Sequence, residues 1–294
     1  MINISACPIC AGNNFIDFLT CKDHTTSGES FSLRKCSSCG FTFTDPKPDE
    51  QSIGKYYLSD KYISHTGGQK NLLDLAYLYA RKIALSDKRA IIERHSSGKT
   101  ILDFGCGTGE FLKEMKSSGW IITGVEPSLN ANEKASQSTG NKIYKSLTEI
   151  QESNFDAITL WHVLEHLHDL NGSLKKFHAL LKKSGTIFIA VPNLESYDAQ
   201  FYNSFWAGYD VPRHLWHFNQ ESMKRILENI GFKLTEIIPM RMDSYYVSLL
   251  SESYKNPSQL KVLNLVKAFS CGLHSNLKAK KTTNYSSLIY IAKR

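Results

Sequence analysis

Long apolar runs are missing from this 294-residue sequence. The longest ones, such as Thr186–Val191 and Ala157–Trp161, are far too short to span a bilayer, so no membrane insertion is expected. The first residues lack a basic stretch followed by an apolar core, which argues against a secretory signal and for a cytoplasmic location. Internal repeats and low-complexity tracts are also missing. The composition is that of an ordinary soluble globular protein.

Dense clusters of charge are scarce as well. The net charge of +7 is modest for this length, and its basic residues are spread out apart from Lys278-Ala279-Lys280-Lys281. Such a surface could favour an anionic partner, including RNA, a nucleotide-sugar or an acidic lipid head group, but a merely solvated basic surface is the preferred interpretation. Nucleic acid is therefore an unlikely partner on this ground, although it is not excluded.

Cysteines are concentrated near the N-terminus, where five of the seven lie within residues 1–45. In a reducing compartment they are expected to bind metal or to be buried, and not to form disulfides. Two C-x2-C pairs, Cys7–Cys10 and Cys36–Cys39, predict a four-thiolate structural Zn²⁺ site. Cys21 and His24 lie between the pairs and are possible substitute ligands.

The chain divides into three predicted regions. Residues 1–45 form the zinc-binding module, residues 46–99 form a linker with a helical lead-in, and residues 100–294 form the main domain. Apolar residues at helical spacing predict one long helix over Gln69–His95, or two joined near Ser86-Asp87. About forty helical, basic residues near 242–285 are interpreted as an insertion.

From Thr100 onward, strand and helix patterns alternate, which predicts an α/β fold. We expect a Rossmann-like, mostly parallel sheet of seven strands with helices on both faces, beside a small zinc-ribbon-like module. The predicted strands are Thr100–Phe104, Trp120–Glu126, Lys142–Tyr144, Phe155–Trp161, Thr186–Val191, Phe232–Met240 and Ser287–Lys293. The predicted helices between them are Gly109–Ser118, Ser128–Ser138, Asn171–Lys183 and Gln220–Ile230, with an irregular segment over Pro192–Asn219.

A glycine-rich loop between the first strand and its helix is the most informative motif. Asp103, Gly105, Gly107 and Gly109 form a D-x-G-x-G-x-G pattern, in which glycines let the backbone turn sharply and approach a ligand. Glu126 follows the next strand, where a carboxylate can accept hydrogen bonds from ribose hydroxyls. A nicotinamide dinucleotide site has similar features, but its fingerprint is G-x-G-x-x-G.

This pattern resembles the first motif of class I S-adenosylmethionine-dependent methyltransferases. The run Phe155–Leu167 resembles the fourth strand and following turn of quinone-biosynthesis-like members, and Ser184–Asn193 resembles their fifth strand. With the cysteine pairs, the layout is similar to zinc-ribbon-bearing methyltransferases that modify sugars, glycans and secondary metabolites. The similarity implies that the residues contacting S-adenosylmethionine are Asp103, Gly105, Cys106, Gly107, Gly109, Glu126, Pro127, Trp161 and His162. The adenine contacts stay open, because Lys145-Ser146-Leu147 lacks the acid often found there.

Histidines beyond the fourth strand are candidates for acceptor chemistry. His166 and His214 are the predicted catalytic residues, because a histidine can take a proton from an acceptor near neutral pH. The aromatic-rich segment Tyr197–Phe218 is expected to form a lid or substrate wall. His162–His166 also matches the H-x-x-E-H zinc-protease signature, but the first histidine follows a strand and not a helix.

The expected activity is methylation of oxygen or carbon on a small-molecule or glycan-type acceptor. One alternative is an RNA methyltransferase that grips RNA with its zinc module. The alternatives of another class are a non-catalytic nucleotide-binding module and a nicotinamide enzyme.

Overall fold

A small antiparallel sheet occupies the N-terminal region of the computed structural model, which describes residues 1–58, 72–151 and 154–294, with only the backbone described over 72–81. Its strands are β1 (Phe15–Lys22), β2 (Ser30–Cys36), β3 (Thr42–Thr44) and β9 (Trp216–His217). Their spatial order is β1-β2-β3-β9. The fourth strand thus comes from a part of the chain more than 170 residues away from β3.

The main sheet has seven strands in the order β10-β11-β8-β7-β4-β5-β6. Strand β11 runs antiparallel to both of its neighbours, whereas the other pairs are parallel. The sheet consists of β4 (Thr100–Phe104), β5 (Ile121–Val125), β6 (Ile143–Tyr144), β7 (Phe155–Trp161), β8 (Leu181–Pro192), β10 (Lys233–Pro239) and β11 (Ser287–Lys293). The strand order reverses direction between β4 and β7, which is where open α/β sheets bind ligands.

Helices cover both faces of this sheet. They are α1 (Leu72–His95), α2 (Glu110–Ser117), α3 (Leu129–Thr139), α4 (Leu170–Leu180), α5 (Tyr197–Tyr202), α6 (Gln220–Ile230), α7 (Asp243–Lys255) and α8 (Lys261–Thr282). One apolar core joins the sheet to α4 and α6, and a second joins its other face to α1, α2 and α3. The predicted Rossmann-like α/β fold is therefore confirmed.

Capping residues define several helix ends. The Asp169 side chain accepts a hydrogen bond from the Gly172 amide at the start of α4, and Asn219 with Ser222 forms a capping box at the start of α6. Gly231 ends α6 at a φ of +102°, a left-handed conformation that glycine adopts without steric cost. These caps explain why the observed bounds of α6 match the predicted ones.

Most predicted bounds agree with the structure to within about one residue, and two predicted segments differ by more. Leu181–Lys183 were expected to extend α4, but they begin β8, because Leu181 pairs with Phe155 of β7. The segment 192–219 was expected to be irregular, yet it contains α5 and β9. The lead-in helix is continuous from Leu72 to His95, and Gln69–Asn71 of its predicted span lie outside the described residues.

The N-terminal sheet packs directly on the main domain. Thr42 and Phe43 pair with His217 and Trp216, and Phe41 and Phe43 belong to the same apolar core as the main sheet. The predicted boundary at residue 45 remains a proposal. No helix among the described residues is both long and apolar enough to cross a membrane.

Candidate active site

The glycine loop Gly105–Gly109 turns the chain sharply between β4 and α2. Gly105, Gly107 and Gly109 have φ values of +75°, +54° and +80°, which residues with side chains rarely adopt. A Cβ at Gly105 would lie 2.5 Å from Val163, and one at Gly109 would lie 2.9 Å from Ala135. Among the described residues, nothing lies within 4 Å of the same position on Gly107. The outer glycines are thus required by packing, and the middle one leaves room beside the loop.

Glu126 is held against this loop by backbone amides. Its Oε2 accepts a hydrogen bond of 2.9 Å from the Gly107 amide, and its Oε1 accepts one of 2.9 Å from the Ser128 amide. A carboxylate has about four acceptor sites, so about two stay available for a ligand diol. Pro127 beside it is exposed, whereas Cys106 is buried.

Asp103 lies at the base of the cleft and is buried. It accepts a hydrogen bond of 2.6 Å from the Thr159 hydroxyl. Burial raises the pKa of Asp103 to about 7, even though the Thr159 hydrogen bond and the charge of Lys88 act to lower it. A cation that reaches this carboxyl group would favour its charged form.

Lys88 of α1 is a cleft residue that sequence analysis missed. Its ammonium group lies 4.3 Å from the centroid of the Trp161 ring, and burial lowers its pKa. The cleft has a volume of about 310 Å³ and is lined by Ala84, Leu85, Lys88, Asp103, Gly105, Cys106, Gly107, Thr108, Glu110, Phe111 and Trp161. Lys88 lies on a lead-in helix with no motif of its own, so only its basic character could have drawn attention to it.

A cavity of about 780 Å³ also lies among the predicted acceptor residues. His162, His166 and His214 line it, together with Asp210 and Asp243. Its aromatic wall is formed by Tyr246 and Tyr254 of α7. The structure therefore brings together His166 and His214, which are 48 residues apart in the sequence.

His162 lies between two carboxylates. Its Nε2 is 3.2 Å from Asp243 and its Nδ1 is 3.5 Å from Glu165. Burial acts to lower the pKa of His162, but the two carboxylates outweigh it and raise the pKa to about 9. His162 is therefore charged at neutral pH. Its backbone φ is +56°, in the left-handed region.

His166 and His214 pack edge to face with ring centroids 4.6 Å apart. The Nδ1 of His166 lies 3.0 Å from the Arg213 carbonyl oxygen, and the Nδ1 of His214 lies 2.9 Å from that of Gly208. Because a carbonyl oxygen only accepts, both Nδ1 atoms donate a proton in these hydrogen bonds, and Nε2 of His214 lies 3.9 Å from the Asp210 carboxylate. Burial and the neighbouring His214 lower the pKa of His166 to about 4, so it is neutral at pH 7.

Glu165 lies close to His166 and His214. It is fully buried, and neither of its carboxylate oxygens receives a hydrogen bond from the described residues. Glu165, His166 and His214 each offer a ligand atom, and these three atoms lie within 4.8 Å of one another. This group could hold a divalent ion.

The aromatic-rich segment Tyr197–Phe218 lies at the acceptor cavity, but the residues that line the cavity are not its aromatic ones. It contributes Ala207, Gly208, Asp210 and His214 to the cavity wall. Most of its aromatic side chains are instead buried in packing: Tyr202, Trp206, Tyr209, Trp216 and Phe218. His217 is also buried and lies 3.1 Å from the Thr44 hydroxyl, so it does not face the cavity.

Arg213 forms a buried bridge that the sequence did not reveal. Its guanidinium pairs with Asp210 at 2.6 Å and with Asp23 of the N-terminal hairpin at 3.0 Å. Arg213 and Asp23 are both at most 1 % exposed. His24 and Thr25, next to Asp23, line the cavity, so the N-terminal sheet forms part of its wall.

The two C-x2-C pairs meet at one point. The Sγ atoms of Cys7 and Cys39 are 3.5 Å apart, as are those of Cys10 and Cys36. All four lie within 4.8 Å of one another. A tetrahedral Zn²⁺ site with Zn–S bonds of about 2.3 Å requires sulfur atoms about 3.8 Å apart, so the geometry fits this ion. Cys21 and His24 are not members of the group.

Comparison with known proteins agrees with these observations. A family model described as a methyltransferase domain matches residues 75–237, more than half of the chain. The ubiquinone biosynthesis O-methyltransferase of Haemophilus ducreyi is 30% identical over 109 residues, which cover 33% of this chain and 46% of that protein. The corresponding enzyme of Idiomarina loihiensis is 32% identical over 114 residues, covering 35% and 47%. The chain thus spans about half the length of the curated relatives it matches.

A solved structure shares the fold. Magnesium protoporphyrin IX methyltransferase from Synechocystis PCC 6803 with bound SAH aligns over 83% of this chain and 100% of that one, with a TM-score of 0.52 and 13% identity. At this identity the likeness concerns the fold alone. Together with the family model and the glycine cleft, it assigns the chain to the class I S-adenosylmethionine-dependent methyltransferases.

Proposed function

We propose that this chain transfers the methyl group of S-adenosylmethionine to an oxygen or carbon atom of a small-molecule or glycan-type acceptor. The observation that supports it most is the position of two histidines, His166 and His214, on the wall of a large cavity beside the glycine cleft. The curated relatives support oxygen as the methylated atom, since those named above are O-methyltransferases.

The residues of the cleft suit the chemical groups of this cofactor. Glu126 has acceptor sites for the ribose hydroxyls, next to the loop glycines and Pro127. Asp103 and Lys88 offer opposite charges for the amine and carboxylate of the methionine part. Trp161 presents an aromatic ring beside them, and aromatic faces attract cations such as a sulfonium. When bound, the cofactor supplies an electrophilic methyl carbon.

With S-adenosylmethionine bound, its methyl carbon would be the electrophile for the acceptor oxygen or carbon. The new carbon–oxygen or carbon–carbon bond would replace the carbon–sulfur bond, whose electron pair would stay on sulfur. The acceptor proton passes to Nε2 of His166 or His214. His162, charged and held by Asp243 and Glu165, adds a positive charge to the wall of the acceptor cavity. Positioning of this kind contributes about 7–11 kcal/mol of barrier reduction in well-oriented systems.

We further propose that Cys7, Cys10, Cys36 and Cys39 hold Zn²⁺ in a structural role. Four protein thiolates leave no open position for water or substrate. The metal would stabilise the turns that carry β1 and β2, and through them the hairpin at Asp23–Thr25 that lines the acceptor cavity.

An RNA acceptor is less well supported. The end of β7 and the residues after it read Trp161-His162-Val163-Leu164, without the Asn-Pro-Pro-aromatic pattern associated with methylation of base amines. The basic residues are also diffuse. RNA affinity that falls steeply with salt would favour this alternative.

Titration calorimetry with S-adenosylhomocysteine and NAD⁺ tests the cofactor assignment. S-adenosylhomocysteine should bind and NAD⁺ should not. Binding of NAD⁺ without binding of S-adenosylhomocysteine would contradict the proposal. Glu126→Gln should weaken binding about 10- to 100-fold, since a hydrogen bond to a charged group contributes about 1.5–3 kcal/mol. Glu133→Gln, an exposed neighbour on α3, is the matched control and should bind normally.

A non-catalytic module would bind the same ligand, so a transfer assay is also needed. Purified protein with methyl-labelled cofactor should label an extract of small molecules in a time-dependent way. Cofactor binding without labelled product from either a metabolite or an RNA fraction would favour the non-catalytic alternative.

A further inference from the structure

The outward face of α8 is a continuous apolar stripe. Seven of its side chains are between 42 % and 68 % exposed: Val262, Leu263, Leu265, Val266, Phe269, Leu273 and Leu277. They recur at spacings of three and four residues, so they share one side of the helix. From Val262 to Leu277 the stripe is about 22 Å long at 1.5 Å per residue. Contiguous exposed apolar surface of this kind marks an interaction site.

The inward face of α8 consists of small and polar residues. These are Asn264, Ala268, Cys271, Gly272, Ser275 and Ala279. A Cβ on Gly272 would lie 2.7 Å from Tyr245 of α7, so the two helices are in close contact. The Ser275 hydroxyl donates a hydrogen bond of 2.6 Å to the buried Asp198 carboxylate. The orientation of α8 is therefore set by its inward contacts, and its large apolar side chains remain outside.

All lysine, aspartate and glutamate charges on α8 are positive. The helix carries five lysines, all exposed, and no aspartate or glutamate: Lys261, Lys267, Lys278, Lys280 and Lys281. The two acids of the adjoining α7 are turned inward, since Asp243 pairs with His162 and Glu252 is buried. An apolar stripe bordered by lysines is typical of helices that lie in the interface of an anionic membrane.

We propose that α8 docks the protein onto the surface of an anionic lipid bilayer, with the apolar stripe among the lipids and the lysines at the phosphates. A second copy of the chain fits this face poorly. In a symmetric pair the same lysines would meet across the interface without acidic partners from α8. The inference is independent of the proposed methyl transfer, because no residue of the stripe lines the glycine cleft or the acceptor cavity.

Flotation with vesicles tests this surface. The full chain should float with phosphatidylcholine vesicles containing phosphatidylserine and should remain below with phosphatidylcholine alone. Phe269→Gln with Leu273→Gln should weaken partitioning at least about tenfold, since two large apolar side chains would no longer be buried among the lipids. Ile121→Gln, which replaces an apolar residue 71 % exposed at the start of β5, is the matched control and should float like the parent.

Changing the charges gives a second readout. Replacing Lys278, Lys280 and Lys281 with glutamine should weaken binding on the order of a hundredfold, and high salt should mimic this effect. Flotation that is equal for the parent and the Phe269→Gln/Leu273→Gln protein would overturn the proposal. A dimer in solution that this same pair of substitutions dissociates would also overturn it, since a second copy would then cover the stripe.

Discussion

At the scale of single residues, burial and hydrogen bonding give neighbouring histidines different protonation states. His162 stays charged between Asp243 and Glu165, with a pKa raised to about 9. His166, four residues later, is neutral because burial and His214 lower its pKa to about 4. The carbonyl oxygens of Arg213 and Gly208 accept the Nδ1 protons of His166 and His214, so the neutral His166 has an unprotonated Nε2.

Substituting both histidines tests their proposed role in proton transfer. His166→Ala with His214→Ala should lower kcat about 10²- to 10⁴-fold, the usual contribution of a general base. The Kd for S-adenosylhomocysteine should change little, because neither side chain lines the glycine cleft. His274→Ala, an exposed histidine of α8, serves as the control. Unchanged turnover on the true acceptor would show that another group takes the proton.

The buried Asp103 predicts a pH dependence of stability. Its pKa is raised to about 7 in the folded chain and is about 3.9 when unfolded. Between these values the folded state binds more protons, so the unfolding free energy of the ligand-free protein should fall as pH rises from 4 to 8. The loss is roughly 4 kcal/mol at about 1.36 kcal/mol per pKa unit.

Urea unfolding at several pH values measures this effect. The comparison is with Asp103→Asn, which cannot ionise and should lack this part of the pH dependence. Parallel curves for the two proteins from pH 4 to pH 8 would show that Asp103 does not titrate in this range.

At the scale of elements, a buried ion pair joins the hairpin between β1 and β2 to the segment before β9. Arg213 lies between Asp23 and Asp210 with almost no exposure. Removing one partner of such a pair leaves an uncompensated buried charge. The Thr44 hydroxyl adds a hydrogen bond of 2.8 Å to the backbone carbonyl of His214. The N-terminal sheet thus positions a predicted catalytic residue.

Arg213→Met is expected to lower the free energy of unfolding by about 3–5 kcal/mol. Arg225→Met is the control, because Arg225 and Glu221 form an exposed pair on α6 and such pairs contribute about 0–1 kcal/mol. Chemical denaturation of both proteins measures the difference. Equal losses of unfolding free energy in the two variants would mean that the Arg213 ion pairs contribute no more to stability than an exposed pair.

Regular elements were predictable where the signal is local. The bounds of β4, β7, β11 and α6 agree with the predicted ones, because apolar runs and caps define them within a few residues. Strand β9 was missed, since two residues carry no periodic pattern and its partner β3 is far away in sequence. The start of β8 was missed because Leu181 follows α4 directly, without a breaking residue.

At the scale of the whole molecule, the N-terminal sheet and the glycine cleft lie on different parts of the fold. His24 and Thr25 line the acceptor cavity, and no residue of the N-terminal sheet lines the glycine cleft. Loss of the proposed zinc site should therefore affect acceptor turnover and leave cofactor binding intact.

Cys39→Ser tests this separation. The bound zinc, measured by elemental analysis, should fall from about one ion per chain to near zero, since structural sites need four ligands. Turnover should fall, while the affinity for S-adenosylhomocysteine should stay within about twofold, a difference of about 0.4 kcal/mol. Cys21→Ala, in the same sheet but outside the thiol group, should keep its zinc. Full zinc content in Cys39→Ser would contradict the four-cysteine assignment.

The local sequence was enough to predict the fold class, the glycine cleft with Glu126 and the grouping of four cysteines. Each depends on residues of one strand, one turn or one short spacing, where backbone geometry follows from residue type. Only the tertiary structure placed Lys88 beside Trp161, joined Arg213 to Asp23, and brought His214 to His166. The tertiary structure alone also showed that the apolar side of α8 is exposed. These relations depend on contacts between distant segments, which packing decides and which no local pattern encodes.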